Sequence, residues 1–113
     1  MNDVKIIDLN QFEQLKELMG DQFEMLVQLF QKNSQELLSD MQKSFVSSDI
    51  HLGRISAHSL KSSAASFGLL SLSKQTEKME NIWREGLTPS KEGIELTEKL
   101  LKDSIEAIKT ANF

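Results

Sequence analysis

Two histidines are the side chains with the clearest chemical potential in this sequence, and both lie in one predicted helix. His51 and His58 are seven residues apart, about two helical turns, so both fall on one side of the helix. A neutral imidazole nitrogen is a usable nucleophile, which can accept a phosphoryl group and pass it on. Lys61 follows His58 by three residues. These residue types suit the handling of a phosphoryl group.

The predicted helix around His58 has a core side and an open side when residues are placed at 100° intervals. The side opposite His58 is small or apolar and consists of Gly53, Ser56, Leu60, Ala64 and Phe67. The side around His58 consists of His51, Arg54, Ile55, Lys61, Ser62 and Ala65. Ser62 and Ala65 are small, so they leave the imidazole open to a large partner. Ile55 is apolar on a side expected to face water, which suits a docking contact.

The stretch that contains these residues lacks acidic side chains. No Asp or Glu occurs between residues 50 and 76, although the chain has 17 of them and a net charge of −4. Arg54, Lys61 and Lys74 lie in the same stretch. The pattern predicts a local positive field on an acidic protein, suited to a phosphoryl group or an acidic partner.

Composition excludes several other functions. The chain has 113 residues and no cysteine, so thiol nucleophiles and disulfides are excluded. Its five glycines do not cluster, which excludes a P-loop or a dinucleotide-binding turn. His51 and His58 lack a third ligand nearby, so no metal site is expected. The net charge argues against nucleic acid as a partner. No apolar run spans a membrane and the start lacks a signal peptide, so we expect a cytoplasmic protein.

Apolar spacing predicts helices almost throughout and no strands. The first helix is short, about Asn10 to Met19, and Gly20 ends it. Asp21 is predicted to be the N-cap of a long second helix. The apolar stripe of that helix consists of Phe23, Leu26, Phe30, Leu37, Met41 and Phe45.

Three further helices follow. The third runs from about Ile50 to Phe67, with Asp49 as its N-cap, and Gly68 stops it. The fourth ends at Gly86, and its seam consists of Leu69, Leu72, Thr76, Met79 and Trp83. Thr88 is predicted to cap the last helix with Pro89 as its first residue, and its buried side consists of Ile94, Leu101, Ile105 and Ile108. Short turns make neighbouring helices antiparallel. We expect an all-α, up-down-up-down four-helix bundle with a short additional N-terminal helix, in a single domain covering residues 1–113.

Residues 57–68, with the sequence AHSLKSSAASFG, resemble the motif of histidine-containing phosphotransfer (HPt) domains, and the KSSAA form is similar to that of stand-alone quorum-sensing phosphorelay proteins. The family pattern is H-x-L-K-G/S followed by small residues and by glycine ten positions after the histidine. The resemblance implies that His58 is phosphorylated on Nε2, with Lys61 near the phosphoryl group. It implies that Gly68 permits close helix packing. Ser62 departs from the more usual glycine, but serine is nearly as small.

The resemblance also implies the protein's partners. A receiver-domain aspartate of a hybrid sensor kinase would donate the phosphoryl group to His58, and the receiver of a response regulator would accept it. The chain would be a monomeric carrier rather than an enzyme, with no cofactor of its own and with magnesium supplied by the receiver. Kinase dimerisation helices share H-x-L-[KR], but they carry an acid and a proline where this chain has Ser59 and Ser63. The alternative function is a non-catalytic helical adaptor in which His58 is incidental.

Overall fold

Five α-helices make up most of the chain. A computed structural model describes residues 5–112 and places these helices at Leu9–Met19 (α1), Phe23–Ser47 (α2), Ile50–Ser66 (α3), Leu70–Arg84 (α4) and Lys91–Ala111 (α5). No strand occurs in the described part of the chain. The predicted all-α class is therefore confirmed.

The four longer helices form a closed bundle. The connections α2–α3 and α3–α4 span only two and three residues, which turns each helix back along the one before it. Each of these helices packs against the next, and α5 packs against α2, while α1 packs on α2. The predicted up-down-up-down bundle with an additional N-terminal helix is confirmed.

The predicted buried faces meet in one core. All five residues of the α4 seam are buried, including Trp83, which is 1% exposed. The α2 stripe places Phe23, Phe30 and Met41 in the core, and its other members are partly buried. The ring of Phe30 lies 4.9 Å from that of Phe67, at the end of α3. Periodicity therefore identified the inward side of each helix correctly.

The turn between α2 and α3 lies where the sequence predicts it. Ser48 ends α2 in the left-handed conformation, with φ of 58°, and its backbone N–H donates to Ser44 O. Asp49 caps α3, because its side chain accepts a hydrogen bond from Leu52 N at 3.1 Å. This cap fixes the start of the helix that carries both histidines.

The predicted N-cap at Asp21 is wrong. Gly20–Gln22 forms a short 3-10 turn that leads directly into α2, and Gln22 precedes α2 with a helical backbone and no side-chain cap. A capping side chain needs a residue with non-helical backbone angles, from which it reaches the first free N–H groups. Asp21 lies inside a helical turn, so it has no such position.

The predicted cap of the last helix is also wrong. Ser90, rather than Thr88, is the N-cap of α5, since its backbone is extended and its hydroxyl accepts from Gly93 N at 3.0 Å. Pro89 is buried before the cap instead of being the first helical residue. Thr88 and Ser90 both have a side chain that is preferred at an N-cap. Only Ser90 directly precedes α5, where its hydroxyl can reach the free N–H groups of the first turn.

The two candidate caps can be compared by substitution. We expect Ser90→Ala to destabilise the protein by about 1 kcal/mol, because it leaves an N–H of the first turn of α5 without its acceptor. Thr88→Ala is the matched control and should have little effect. Urea denaturation of both variants measures the difference. A larger loss for Thr88→Ala would contradict the assignment of the cap.

Candidate functional site

His58 lies on the outer side of α3, as the periodicity predicts. The predicted core side of the helix is buried throughout. The side chain of His58 is 60% exposed. The helix therefore presents the imidazole at the surface of the bundle while its opposite side anchors it in the core.

Close packing at Gly53 sets the distance between α3 and its neighbours. A Cβ atom at this position would overlap the ring of Trp83 in α4 and the hydroxyl of Ser44 in α2. Only glycine allows the α3 backbone to approach both helices this closely. This close approach keeps α3 packed against α4. Side chains in the middle of α3 can therefore contact Glu80 of α4.

Glu80 of α4 lies beneath His58 and joins three side chains. Its carboxylate is only 3% exposed, and its Oε2 lies 2.8 Å from His58 Nδ1. Oε1 lies 2.8 Å from Lys61 Nζ, and Arg84 Nη2 lies 2.8 Å from Oε2. A buried carboxylate is costly unless its charge is paired. His58, Lys61 and Arg84 provide that compensation, and we call these four residues the Glu80 cluster.

The Glu80 cluster determines which ring nitrogen of His58 is available. An ionised carboxylate can only accept hydrogen bonds. The neutral imidazole therefore carries its proton on Nδ1, and this N–H donates a hydrogen bond to Glu80. The lone pair of a neutral ring then belongs to Nε2. The site therefore offers an exposed imidazole whose orientation and tautomer are fixed by a buried partner.

The surroundings of Glu80 keep its carboxyl ionised. Burial raises the pKa of Glu80, but hydrogen bonds from Lys61 and His58, together with their charges, lower it more strongly. The net effect holds the pKa below the ordinary value of 4.5. Desolvation is the largest single effect on this carboxyl, and the combined hydrogen bonds and charges of Lys61 and His58 outweigh it.

Comparison with known proteins identifies the family. A sequence model of the Hpt domain matches residues 25–111, which is more than half of the chain and includes the whole Glu80 cluster. The chain belongs to the Hpt domain family. Membership makes it a histidine phosphotransfer protein of a phosphorelay, and proteins of this family interact with receiver domains of phosphorelay components.

The fold of this Hpt domain is also that of a solved structure. The chain is similar to histidine-containing phosphotransfer protein B (HptB) from Pseudomonas aeruginosa PAO1, with a TM-score of 0.87 and 24% sequence identity over 93% of this chain and 92% of the other. A search of curated protein sequences found no match. The structural likeness supports the helical bundle that the apolar spacing predicts.

Of the predicted site residues on the exposed side of α3, only Lys61 is linked to His58 through a shared partner. Lys61 joins His58 through the Glu80 cluster, and its side chain is 25% exposed. Within residues 5–112, no side-chain hydrogen bond or ion pair joins His58 to the other predicted residues on this side of α3. These residues are all exposed, and they are His51, Arg54, Ile55, Ser62 and Ala65. The predicted open face is therefore present around the imidazole.

Gly68 closes the end of α3 on the N-terminal segment. Its φ is +74°, and a Cβ would lie 3.0 Å from Asp8 O and 3.2 Å from Gln11 Cβ. Asp8 N donates to Gly68 O at 2.7 Å, and the Gln11 side chain donates to Ala65 O at 2.6 Å. The close packing that the family resemblance implies at Gly68 is made with the residue before α1 and with α1 itself.

Two members of the Glu80 cluster were not predicted as site residues. They are Glu80 and Arg84, both of α4. The available signal was a carboxylate four residues after Thr76 and three before Trp83, both of which are buried seam positions. An acid beside a buried seam requires a partner, and the exposed side of the preceding helix supplies Lys61.

Two further structural observations concern the described residues, 5–112. They contain no group of three or more His, Cys, Asp or Glu side chains placed to hold a metal ion. None of their helices has the length and apolar character to cross a membrane.

Ionisation of Glu80 should give the Hpt domain an acid-sensitive component of stability. The folded pKa is lowered, so the unfolded chain binds the proton more readily and stability falls as the pH drops from about 5 through the folded pKa. We expect the stability difference between the native protein and Glu80→Gln to be largest above about pH 5 and to shrink below it.

Urea denaturation at a series of pH values measures this difference. Glu77→Gln is the control, because Glu77 is an exposed carboxyl on the same helix. Its difference from the native protein should stay nearly constant. A constant difference for Glu80→Gln as well would show that the Glu80 cluster does not stabilise the ionised carboxyl.

Proposed function

We propose that His58 is the phosphoacceptor of this Hpt domain, taking a phosphoryl group from an aspartyl phosphate of one receiver domain and passing it to an aspartate of another. The observation that carries the proposal is the exposed imidazole whose Nδ1 is held by the buried Glu80. That contact leaves Nε2 as the nucleophile. The exposed position lets a protein as large as a receiver reach it.

The transfer step needs few groups from this chain. The Nε2 lone pair of His58 forms a bond to phosphorus as the bond between phosphorus and the aspartate oxygen breaks, and the aspartate leaves as a carboxylate. Phosphoryl transfer depends mainly on alignment and on neutralising the charge of the equatorial oxygens. Magnesium held in the acidic pocket of the receiver would supply most of that neutralisation. The chain is therefore a phosphoryl carrier rather than an enzyme, and it needs no cofactor of its own.

Positive side chains around His58 support the same step. Lys61 and Arg84 both pair with Glu80, and Arg84 is 52% exposed, so its guanidinium stays accessible from solvent. Arg54 lies one turn before His58 and is also exposed. A phosphoryl group at Nε2 would enter this positive surround, which favours its two negative charges.

The docking surface for a receiver is the exposed side of α3 together with α2. Ile55 is 49% exposed, and Ser62 and Ala65 leave room beside the imidazole. Next to Ser63 and Ser66, a groove of about 330 Å³ runs between α2 and α3, and Leu29 is 47% exposed on its rim. A small surface of mixed apolar and basic character suits a transient contact with an acidic receiver pocket.

This function gives the chain two partners of one chemical class. They are the receiver of a hybrid sensor kinase and the receiver of a response regulator, and the protein would act on them as a monomer in the cytoplasm. The competing function is a helical adaptor that binds without accepting phosphorus. The Glu80 cluster favours the phosphoacceptor, because an incidental surface histidine has no need of a buried carboxylate.

Substitution of the histidines tests the proposed acceptor. His58→Gln should abolish phosphorylation by a phosphorylated receiver domain, since no nucleophile remains at the site. His51→Gln is the control and should keep full labelling, because His51 is exposed on the same side of α3 without contacting the Glu80 cluster. Acid-labile radioactive phosphate on each variant is the measurement. Label retained on His58→Gln, with the fold intact by circular dichroism, would refute the proposal.

Bulk at Ser62 tests the docking surface. Ser62→Tyr should slow transfer from the receiver strongly, because an aromatic ring one turn after His58 occupies the space that the partner must enter. Ser47→Tyr is the control, as Ser47 is exposed at the end of α2, beside the start of α3 rather than the imidazole. Both variants should have the same midpoint of urea denaturation, so that a difference in transfer does not come from a difference in stability. Normal transfer by Ser62→Tyr would place the docking surface elsewhere.

A further inference from the structure

We propose that the groove between α4 and α5 is a second docking surface of this Hpt domain, where an acidic amphipathic helix of a partner protein binds and leaves His58 uncovered. The groove has a volume of about 340 Å³, and its lining comes from both helices and from the segment before α1. Binding there does not depend on His58 accepting a phosphoryl group. We call this groove the α4–α5 groove.

The first feature of the α4–α5 groove is positive charge without a partner. Lys74 and Lys78 line it from α4, one helical turn apart, and both are exposed. Within residues 5–112, neither lysine forms an ion pair. Lys99 of α5 also lines the groove, but it pairs with Asp103 at 2.7 Å. The groove therefore has two uncompensated positive charges on a protein whose net charge is −4, and these attract an acidic ligand.

The second feature of the groove is its apolar lining. Leu96 and Leu100 lie one turn apart on α5, and Leu96 is 44% exposed. Ile6 adds an apolar side chain from the segment before α1. A partner helix with apolar residues at one-turn spacing can place them against these leucines, while acids on its flank meet the two lysines of α4. The groove therefore fits an amphipathic helix with one acidic side.

Hydrogen bonds hold the floor and one edge of the groove in place. The side-chain amide of Gln75, a residue that is 6% exposed, donates to Gly93 O at 3.1 Å and to Thr97 Oγ1 at 3.3 Å. The hydroxyl of Ser71 donates to Lys5 O at 2.9 Å, which ties the segment before α1 to α4. The groove is thus formed before a partner arrives, which reduces the ordering cost of binding.

The groove lies on a different side of α4 from the Glu80 cluster. Helix α4 packs against both α3 and α5, and Glu80 faces α3, where it contacts His58. At 100° per residue, Lys74 and Lys78 lie about 120° and 160° from Glu80 around the axis of α4. Lys74 belongs to the stretch without acids, but this position directs it away from the imidazole. A partner in the groove therefore leaves the exposed side of α3 accessible.

Charge and shape favour a helix over other anionic partners. Nucleic acids and anionic bilayers present negative charge over a wide area, and the rest of this acidic chain repels them. The α4–α5 groove is concave, so a narrow element can reach its leucines whereas a flat bilayer cannot. A single helix that carries a few acids satisfies both the charge and the shape of the groove.

A peptide titration of the full, isotope-labelled chain, followed by NMR, tests the proposal. The probe is a synthetic helix of about 15 residues, with leucines one turn apart and glutamates along one flank. Its control has the same composition in scrambled order, so it keeps the charge but has no apolar face. The probe should shift amide signals of α4 and α5 around the groove, bind several-fold more tightly than the control, and lose affinity as salt is raised.

Three results of this titration would overturn the proposal. They are the absence of shifts, shifts centred on His58 instead of the groove, and equal affinity for the probe and the scrambled peptide. Vesicles that contain phosphatidylserine provide a further comparison. Binding of the protein to these vesicles but not to the probe would identify a membrane surface instead of a helix-binding groove.

Charge reversal tests the two lysines. The double variant Lys74→Glu with Lys78→Glu should weaken binding of the probe about tenfold, because two attractions become repulsions. The matched control is Lys32→Glu with Lys43→Glu, which changes the net charge equally at exposed positions of α2 outside the groove. It should have a much smaller effect. Equal weakening by both double variants would show that net charge alone governs binding, and would contradict a specific groove.

Substitution of a leucine tests the apolar contact separately. Leu96→Gln should weaken binding of the probe several-fold, because it removes an apolar side chain from the groove. Leu87→Gln is the control, since Leu87 is 59% exposed and lies outside the lining. Equal effects of the two substitutions would argue against the groove as the binding surface.

A final measurement separates this proposal from the proposed function. Labelling of His58 by a phosphorylated receiver should proceed equally with and without a saturating amount of the probe. Inhibition by the probe would show that the two surfaces overlap and would overturn the independent docking surface. A native protein that binds the probe at the groove but takes no label without it would contradict only the function proposed for His58.

Discussion

A single buried carboxylate organises the surface where this Hpt domain presents its histidine. Glu80 is almost without solvent, so its charge has to be balanced by neighbouring donors. His58, Lys61 and Arg84 provide the balance, at 2.8 Å each. The energetic demand of the carboxylate therefore orients the imidazole, which would otherwise rotate freely on an exposed helix face. Stability and reactivity are linked here because both depend on the same contacts.

The bundle prepares this arrangement by bringing two helices unusually close. Gly53 allows the backbone of α3 to lie against Trp83, and three residues before Trp83, Glu80 rises towards α3. The cap at Asp49 sets where α3 begins, and Gly68 joins its end to the segment before α1. The helix that bears the histidine is thus fixed at both ends and along its buried side. Only the side that carries His58 is left open.

The sequence alone predicts the helices and the exposed side of α3, because both follow from the apolar spacing within each helix. The outward direction of His58 follows from the small and apolar residues on the opposite side of α3. The contact with Glu80 joins residues 22 positions apart, and it depends on how α3 and α4 are rotated about their axes, which periodicity does not report. The caps at Asp21 and Thr88 failed for a similar reason. Residue preference permits several caps, and the packing of the connecting chain selects one.

The packing of Gly53 against Trp83 and Ser44 also restricts how this protein can diverge. These residues come from three helices and share one volume, with no space for an additional methyl group. A larger residue in place of Gly53 requires a smaller one in place of Trp83, so the two positions are expected to covary among related chains. A larger residue at Gly53 alone would push α3 away from α4 and disturb the contact between the imidazole and its carboxylate. Evolution at a pair of core positions is therefore coupled to the geometry around a surface histidine.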